Sequence, residues 1–285
     1  MKDSLKSNLL TLLRYVSTDK MYYQIRYLIK FKRKLKLKNP DTFNAKINWL
    51  KLYDRNPLYP QLVDKYEVRS FVEKKIGNEY LNTMYGVYSS TSEIDFDKLP
   101  DSFVLKGTHG SSWVIVCPDK SQLNIQKAKK TMDVWLKKNF YKLYGEWVYK
   151  NVPPRVICEK YLVNKNESAL IDYKFYCFHG KPKFIHVDID RFEKHCRNFY
   201  DLNWNKMPFS LCYPQAERDV KRPSRLSKMI ELASALSAEF KFVRVDFYQV
   251  DEKIIFGELT FNPGNGLEIF TPRKYDIEIG KYLTL

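Results

Sequence analysis

Two stretches near the carboxyl-terminal end of the chain, residues 242–247 and 256–262, constrain its fold most strongly. Both are β-rich, and Asp251-Glu252-Lys253 forms a polar loop between them, which is the pattern of a β-hairpin. With that loop, the antiparallel register places Asp246 directly opposite Glu258. Since side chains alternate along a strand, one face is polar and carries Arg244, Asp246, Tyr248, Glu258, Thr260 and Asn262. The other face is apolar and carries Val243, Val245, Phe247, Ile255, Leu259 and Phe261.

The opposed carboxylates of Asp246 and Glu258 require a positive charge nearby. Like charges directly opposite each other destabilise a sheet, and two kinds of positive partner would remove that repulsion. One is the guanidinium of Arg244, which is predicted on the same face. The other is a hard divalent ion with oxygen ligands, in the way that Mg²⁺ binds beside substrate phosphates. The hairpin favours the divalent ion.

The composition is that of a globular protein. The chain has 285 residues, of which 44% are hydrophobic, and this permits a sizeable core. No apolar run approaches the roughly 20 residues that a bilayer span needs, and the first residues lack a secretory-signal pattern, so we expect a cytoplasmic protein. Five scattered cysteines without a Cys-x-x-Cys pair argue against a disulfide framework and against a thiolate zinc site.

The net charge of +16 indicates an anionic partner. The densest basic cluster is residues 30–38, with the sequence Lys-Phe-Lys-Arg-Lys-Leu-Lys-Leu-Lys. It is either a solvated helical face or a surface that binds anionic lipid or acidic glycan. Binding to anionic lipid would make the protein peripheral at the inner face of the membrane. Nucleic acid is not expected as a partner, because no recognisable nucleic-acid-binding module accompanies the cluster.

Hydrophobic periodicity and capping residues predict an α+β fold. The predicted helices are residues 5–15, 22–37, 42–53, 60–76, 121–141 and 224–238. The predicted strands outside the hairpin are residues 84–88, 103–106, 113–117, 155–162, 170–178 and 183–189. Because a double proline at 153–154 cannot continue a helix, we expect a helical segment over 1–58 and two α+β units over 59–154 and 155–285.

A second hairpin has the same design as the first. With His179-Gly180-Lys181 as its loop, Asp172 pairs with Asp188, and Lys174 pairs with His186. Its opposite face is apolar and carries Ile171, Tyr173, Phe175, Cys177, Ile185, Val187 and Ile189. A solvent-exposed antiparallel face explains one such pattern. Two charged faces favour a cleft.

Two further segments are suited to binding a nucleotide. Lys106 ends a strand and precedes a loop with Gly110, Ser111 and Ser112, whose backbone amides and hydroxyls could cradle phosphates. On local evidence alone, an ordinary hairpin turn is the simpler explanation of that loop. Residues 156–162 form an apolar strand with an edge that could offer backbone groups to an adenine, and Glu167 follows at a distance suited to a ribose.

The order of these segments resembles the TupA-like branch of the ATP-grasp superfamily, which is found with cell-surface polysaccharide genes. The resemblance covers roughly residues 40–285 and is carried by residues 42–50, 64–69, 172–175 and 256–261, together with the segments around Lys106 and Glu159. It implies that two α+β subdomains clasp ATP and Mg²⁺.

The resemblance also implies roles for individual residues. Lys65 and Lys106 would contact phosphates, and Arg244 would face the transferred phosphoryl group, so Lys106 and Arg244 are the candidate catalytic residues. The remaining nucleotide contacts would be Gly110, Ser111, Ser112, Glu159, Lys160, Tyr161, Leu162 and Glu167. Asp246 and Glu258 would be magnesium ligands. The superfamily usually has Glu-x-Asn here, whereas this chain has Thr260 at the third position, so we expect Asn262 to complete the site.

We therefore expect an ATP-dependent carboxylate–amine ligase that acts through an acylphosphate. The expected carboxylate is that of an acidic sugar or glycan, such as a hexuronate, and an amine or amino acid would be the second substrate. Lys174 and Arg191 are the candidates for binding the carboxylate. One alternative is a glycosyltransferase of polysaccharide biosynthesis, supported by Asp188-Ile189-Asp190 as an Asp-x-Asp motif. The other is a non-catalytic protein that binds an acidic polymer.

Overall fold

The computed structural model describes residues 13–164, 170–189 and 195–285 and has the predicted α+β architecture. Its helices are α1 (Asp19–Phe31), α2 (Phe43–Tyr53), α3 (Tyr59–Val63), α4 (Val68–Ile76), α5 (Ile125–Leu136), α6 (Phe140–Tyr144), α7 (Leu226–Ser237) and α8 (Lys274–Gly280). Its strands are β1 (Met84–Tyr88), β2 (Phe103–Gly107), β3 (Val114–Cys117), β4 (Val156–Lys160), β5 (Asp172–Phe178), β6 (Lys181–Ile189), β7 (Cys196–Asp201), β8 (Ser210–Leu211), β9 (Phe242–Val250), β10 (Lys253–Thr260) and β11 (Phe270–Thr271). Residues 13–16 are also helical.

A four-stranded antiparallel sheet has the strand order β1-β4-β2-β3. Its core contains Phe103, Leu105 and Cys158, and α5 contributes Met132 and Trp135 to the same cluster. Burial of these apolar side chains is what joins the helix to the sheet. Strand β4 lies in this sheet although it follows residue 154. The division into units 59–154 and 155–285 stays a prediction.

A five-stranded antiparallel sheet has the order β10-β9-β5-β6-β7. Both predicted hairpins are therefore parts of one sheet, and β5 of the second hairpin pairs directly with β9 of the first. One face of the sheet packs against α7 in the largest core cluster, which includes Phe175, Val245 and Phe247 of the sheet and Leu232 and Leu236 of α7. This is the apolar face that alternation predicted.

The other face of the five-stranded sheet has an apolar half and a charged half. Near the β5–β6 turn, Phe178 and Phe242 pack against Phe43 and Ile47 of α2. Tyr176 is the last residue of this aromatic cluster along β5. The next positions on the same face belong to charged residues, so α2 and α8 cover one half and leave the other for polar side chains.

The first hairpin pairs Asp246 with Glu258 as predicted, but its turn is shorter than predicted and one strand contains a bulge. The turn contains only Asp251 and Glu252, and Lys253 already pairs with Val250. A β-bulge at Gly257 then shifts the register by one residue and restores the predicted pairs beyond it. Between turn and bulge the prediction was wrong, because Ile255 lies opposite Tyr248 and therefore on the polar face.

The second hairpin pairs Lys174 with His186, as predicted. Its turn is His179-Gly180, and the register again shifts by one residue near the turn. The pairing of β5 with β6 begins at Tyr173, so the predicted pair of Asp172 with Asp188 is not part of it. Across the sheet, Asp172 instead pairs with Tyr248 and Asp188 pairs with Arg197.

Several helix boundaries differ from prediction, and helix 42–53 does not. Thr42 caps α2 by accepting a hydrogen bond from the Ala45 amide at 3.2 Å. The predicted helix 60–76 is two helices, because Asp64 accepts bonds from the next turn and interrupts it. Helices 22–37 and 121–141 end early, at Phe31 and Leu136. Helix 5–15 lies mostly outside the described residues.

Strand β7 and helix α8 were not predicted. Within the part of the chain that the structure describes, no helix is long and apolar enough to cross a membrane.

Candidate active site

A row of charged and polar side chains crosses the five-stranded sheet. Glu258 of β10 lies opposite Asp246 of β9, Asp246 opposite Lys174 of β5, and Lys174 opposite His186 of β6. Directly opposed residues share a face, so all four side chains lie on the charged half of the sheet. The polar faces of the two predicted hairpins therefore form one continuous face of a single sheet.

Arg244 neutralises the opposed carboxylates. Its Nε donates to Asp246 Oδ1 at 2.7 Å, and its Nη2 donates to Asp246 Oδ2 at 2.7 Å, which is a bidentate contact. The same Nη2 donates to Glu258 Oε1 and to Thr260 Oγ1, both at 3.0 Å. Burial would lower the pKa of Arg244, but Asp246 and Glu258 raise it well above its ordinary value. Its positive charge is therefore permanent.

Lys174 joins this network from β5. Its Nζ contacts Asp172 Oδ2 and lies 3.0 Å from Asp246 Oδ2. The side chain is 6% exposed. Its ammonium is thus already paired with two carboxylates, and a direct contact with substrate stays a prediction that would require one pair to open. Arg191, the other predicted substrate ligand, lies outside the described residues.

Glu258 is held in its ionised form. Burial by itself raises the pKa of this carboxyl, but Lys65, Arg244 and Lys174 together lower it to about 2. Oε1 accepts hydrogen bonds from Arg244 and from Thr260. Among the described residues, no hydrogen-bond donor contacts Oε2. Glu258 can therefore offer an oxygen to a cation at neutral pH.

A pocket next to Glu258 brings together residues of both sheets. Lys106 and Glu159 line it from the four-stranded sheet, and Gly257 lines it from the bulge of β10. Lys65 lines it from the turn that precedes α4, and Arg69 lines it from α4 itself. Lys106 Nζ lies 2.8 Å from Glu159 Oε2, and Arg69 Nη1 lies 3.4 Å from Glu159 Oε1. Three cations surround one carboxylate, so the pocket attracts an anion.

Arg69 was not predicted as a site residue. It lines the pocket, pairs with Glu159 and donates to the Asn82 carbonyl at 2.8 Å. It follows Lys65 by four residues, a spacing that would place both residues on one side of the helix predicted over 60–76. That spacing was the signal that could have identified it.

The glycine-rich loop contacts Lys65 directly. Lys65 Nζ donates to the Gly110 carbonyl at 2.6 Å, while burial lowers the pKa of Lys65. A Cβ on Gly110 would lie 2.7 Å from Trp113 and 2.9 Å from Phe140, so close packing explains this glycine. Ser111 and Ser112 are exposed at the tip of the loop.

The end of β4 lies beside the same pocket. Glu159 is buried, Lys160 is exposed, and Tyr161 and Leu162 follow in a non-regular segment. The Lys160 carbonyl accepts a hydrogen bond from Asn82 Nδ2 at 2.9 Å. Contact of residues 159–162 with an adenine stays a prediction. Glu167 lies outside the described residues.

Asn262 lies beyond the strand that was expected to position it. Strand β10 ends at Thr260, so side-chain alternation does not extend to Asn262. Its side chain lines a small cavity with Leu50, Trp147 and Phe261. Burial raises the pKa of the Glu146 carboxyl, and the amide side chain of Asn262 lies beside that carboxyl and acts to lower its pKa. A role for Asn262 as third metal ligand stays a prediction. Thr260 is the residue that contacts Glu258, since its hydroxyl donates to Glu258 Oε1 at 3.0 Å.

Asp188, the first residue of the Asp-x-Asp motif, is held by hydrogen bonds and ion pairs within the protein. Its Oδ1 lies 2.9 Å from His186 Nε2, 3.0 Å from His195 Nε2 and 2.9 Å from Arg197 Nε. Burial and the charge of Arg197 lower the pKa of His186 to about 3, so that ring is neutral. Asp190, the other member of the Asp-x-Asp motif, lies outside the described residues.

The donor set of the charged row fits a hard divalent ion that is shared with a phosphate. Glu258 supplies a carboxylate oxygen, the ligand type that Mg²⁺ prefers, through Oε2. Both oxygens of Asp246 already accept from Arg244, and Oδ2 also accepts from Lys174, so Asp246 would bind a metal through a remaining lone pair. In the described ranges, no group of three or more His, Cys, Asp or Glu side chains is arranged to hold a metal. Magnesium commonly takes one or two carboxylates together with substrate phosphates, and two carboxylates beside an anion-attracting pocket match that arrangement.

Comparisons with known proteins give a family and a set of similar solved structures. A sequence profile of the family described as TupA-like ATPgrasp matches residues 45–284. A search of curated proteins finds no match. The chain is similar to the solved D-alanine–D-alanine ligase from Bacillus anthracis complexed with ATP, at 15% identity and a TM-score of 0.42, over 70% of this chain and 55% of that chain. Phosphoribosylamine–glycine ligase from Thermotoga maritima is 15% identical, with a TM-score of 0.43, over 71% of this chain and 48% of that chain. The D-alanine–D-alanine ligase from Helicobacter pylori is 12% identical, with a TM-score of 0.43, over 85% of this chain and 65% of that chain. This chain spans less than two thirds of the length of each of these enzymes.

Proposed function

Because this chain belongs to the TupA-like ATP-grasp family, we propose that it is an ATP-dependent ligase that joins a carboxylate to an amine through an acylphosphate. The observation that carries the proposal is the pocket between the sheets. There, Lys65, Arg69 and Lys106 face the edge of the hairpin that presents Asp246 and Glu258. An anion-attracting pocket beside two ionisable oxygen ligands is what a nucleotide polyphosphate with its metal requires.

The proposed phosphate contacts are Lys65 and Lys106, with the exposed hydroxyls of Ser111 and Ser112 at the loop tip. In this scheme Lys106 leaves Glu159, which keeps its pair with Arg69. A magnesium ion held by Asp246 and Glu258, with Asn262 as a further candidate ligand, would neutralise charge on the transferred phosphoryl group. Phosphoryl transfer needs positioning and charge neutralisation more than covalent help.

Arg244 would stabilise the phosphoryl group during transfer. Its bidentate contact with Asp246 fixes the plane of the guanidinium, and its raised pKa keeps it charged. Fixed charge of this kind acts without reorganisation at the moment of reaction. No nucleophilic side chain is needed.

In the reaction, a carboxylate oxygen of the substrate attacks the γ-phosphorus of ATP, and the bond to the bridging oxygen breaks to release ADP. The amine then attacks the acylphosphate carbonyl. The carbon–oxygen bond to phosphate breaks, the nitrogen loses a proton, and an amide and inorganic phosphate form.

The proposed carboxylate is that of a hexuronate or another acidic sugar in cell-surface polysaccharide biosynthesis. The net charge of +16 supports an acidic substrate, and the resemblance of the sequence to the TupA-like branch implies a place in polysaccharide biosynthesis. Lys174 and Arg191 remain the candidates for contact with the sugar carboxylate.

An isotope experiment tests the reaction type. Hexuronates whose carboxylate carries a heavy oxygen isotope are incubated with ATP, Mg²⁺ and a panel of amines, and the released phosphate is analysed by mass spectrometry. The proposal predicts ADP formation that depends on both substrates and transfer of one labelled oxygen to phosphate. A Lys106→Ala variant should lose both signals, whereas Lys127→Ala, on the exposed side of α5, should keep them.

Unlabelled phosphate would contradict the acylphosphate. Transfer of sugar from a nucleotide sugar, without consumption of ATP, would instead support the glycosyltransferase.

A further inference from the structure

Helix α1 is fixed to the rest of the protein by one face. Tyr22, Tyr23 and Tyr27 on this face are almost completely buried. The Tyr23 hydroxyl donates to the Gly145 carbonyl, and the Tyr27 hydroxyl lies 3.3 Å from Thr42 Oγ1. These contacts determine which side of the helix faces solvent.

The opposite face of α1 presents apolar side chains to solvent. Met21 is 52% exposed, Leu28 47% and Ile29 39%, and Ile25 is partly exposed between them. Met21, Ile25 and Leu28 have the i, i+4, i+7 spacing of one helical face, and Ile29 adjoins it. We call Met21, Ile25, Leu28 and Ile29 the apolar stripe. Single exposed apolar residues are ordinary, but a continuous stripe indicates an interaction surface.

Exposed lysines follow the apolar stripe. Lys32 ends the helix and donates its backbone amide to the Leu28 carbonyl at 2.9 Å, so it lies one turn beyond Leu28. Lys34 and Lys38 are also exposed, and these three lysines form no ion pair within the described residues. Lys30 is exposed as well, but it follows Met21 by nine residues and so lies on the other side of the helix, where its charge acts on Cys212. We call Lys32, Lys34 and Lys38 the lysine cluster. The basic segment is thus a helix end and a loop, rather than the single helical face considered from the sequence.

We propose that the apolar stripe and the lysine cluster bind the surface of an anionic phospholipid membrane. The stripe would enter the boundary between headgroups and acyl chains, and the lysines would contact lipid phosphates. A membrane explains both features at once.

Other partners explain only one of the two features. An acidic polysaccharide would pair with the lysines but offers little apolar surface to Met21 and Leu28. A second copy of this chain would cover the stripe but would bring two lysine clusters of like charge together, on a protein with a net charge of +16.

Cosedimentation of the full chain with lipid vesicles tests this proposal. The vesicles contain either phosphatidylcholine alone or roughly equal parts of phosphatidylcholine and phosphatidylglycerol. The parent should bind the mixed vesicles, and binding should weaken as salt is added. Each lysine near an anionic surface contributes about fivefold in affinity, so replacing all three lysines of the cluster with Gln should weaken binding about 100-fold. The Met21→Gln/Leu28→Gln variant should weaken it about tenfold or more, because less apolar surface enters the boundary.

Matched controls lie on α5. Val134 is 49% exposed, and Lys127 and Lys130 are exposed on the same helix. Val134→Gln and Lys127→Gln/Lys130→Gln should bind vesicles like the parent. All variants should bind ATP like the parent, so failure of this proposal is separate from failure of the proposed function.

Three results would overturn the proposal. Equal binding to both kinds of vesicle would exclude recognition of anionic lipid. Loss of vesicle binding with soluble polygalacturonate, together with no effect of Met21→Gln/Leu28→Gln, would identify an acidic polymer as the partner. A lower melting temperature of Met21→Gln/Leu28→Gln in the absence of lipid would show that the stripe is covered in solution.

Discussion

The substitution Lys174→Met measures how much the buried charges of the five-stranded sheet contribute to stability. The side chains of Lys174, Asp172 and Asp246 are 6%, 8% and 2% exposed, and the ammonium contacts both carboxylates. Methionine has a similar length without the charge, so the change removes one cation and leaves two buried carboxylates. Removing one partner of a buried pair costs about 3–5 kcal/mol, and Arg244 keeps Asp246 from being unpaired. We expect a loss of unfolding free energy of about 3 kcal/mol or more.

Urea unfolding followed by circular dichroism provides the assay. With an m-value of about 2–3 kcal/mol/M, the expected loss lowers the midpoint by about 1 M or more. Lys106→Met is the matched control, because its side chain is 25% exposed and its partner Glu159 keeps Arg69. That control should lose less than about 1 kcal/mol.

The double variant Lys174→Met/Asp246→Asn adds a second test. Because the asparagine side chain carries no charge for Lys174 to neutralise, the two losses should be non-additive by about 0.5–3 kcal/mol. The reasoning is refuted if Lys174→Met unfolds at the same urea concentration as Lys106→Met and only raises the KM for the carboxylate substrate. Lys174 would then bind substrate, as the proposed function has it, without contributing to stability through the buried carboxylates.

Two further predictions concern β10. The pKa of Glu258 is lowered from 4.5 to about 2, so its contribution to stability is present above pH 4.5 and is lost as the pH falls towards 2. The difference in stability between the parent and Glu258→Gln should therefore shrink over that range in urea titrations, and a difference that is constant with pH would contradict the charge network. A Cβ on Gly257 would lie 3.1 Å from the Asp246 carbonyl oxygen, so Gly257→Ala should cost about 1–3 kcal/mol and weaken ATP binding. Unchanged stability and unchanged binding would show that the bulge adapts freely.

The positions of Asp246 and Glu258 were predictable because alternation depends only on sequence spacing along one hairpin. The turn is one residue shorter than expected, and the bulge at Gly257 compensates for that residue, so the two deviations cancel beyond the bulge. Ile255 lies between turn and bulge, where they do not cancel, and its predicted face was wrong. A glycine within a strand was the available sign of a bulge.

The partners of these carboxylates across the sheet were not predictable in the same way. The pairing of β5 with β9 brings Lys174 opposite Asp246 although 72 residues separate them. No local periodicity specifies which strands become neighbours, so the sequence left open whether Arg244 alone opposes the carboxylates. Strand β7 was missed because Cys196-Arg197-Asn198 does not alternate polar and apolar residues.

The central claim is that the pocket between Lys106 and Glu258 binds ATP together with magnesium. Isothermal titration calorimetry with ATP, in the presence and absence of Mg²⁺, tests it most directly. We predict magnesium-dependent binding by the parent, loss of binding in Lys106→Ala, and weaker dependence on magnesium in Glu258→Gln. Absence of ATP binding, or binding that neither substitution changes, would contradict the account.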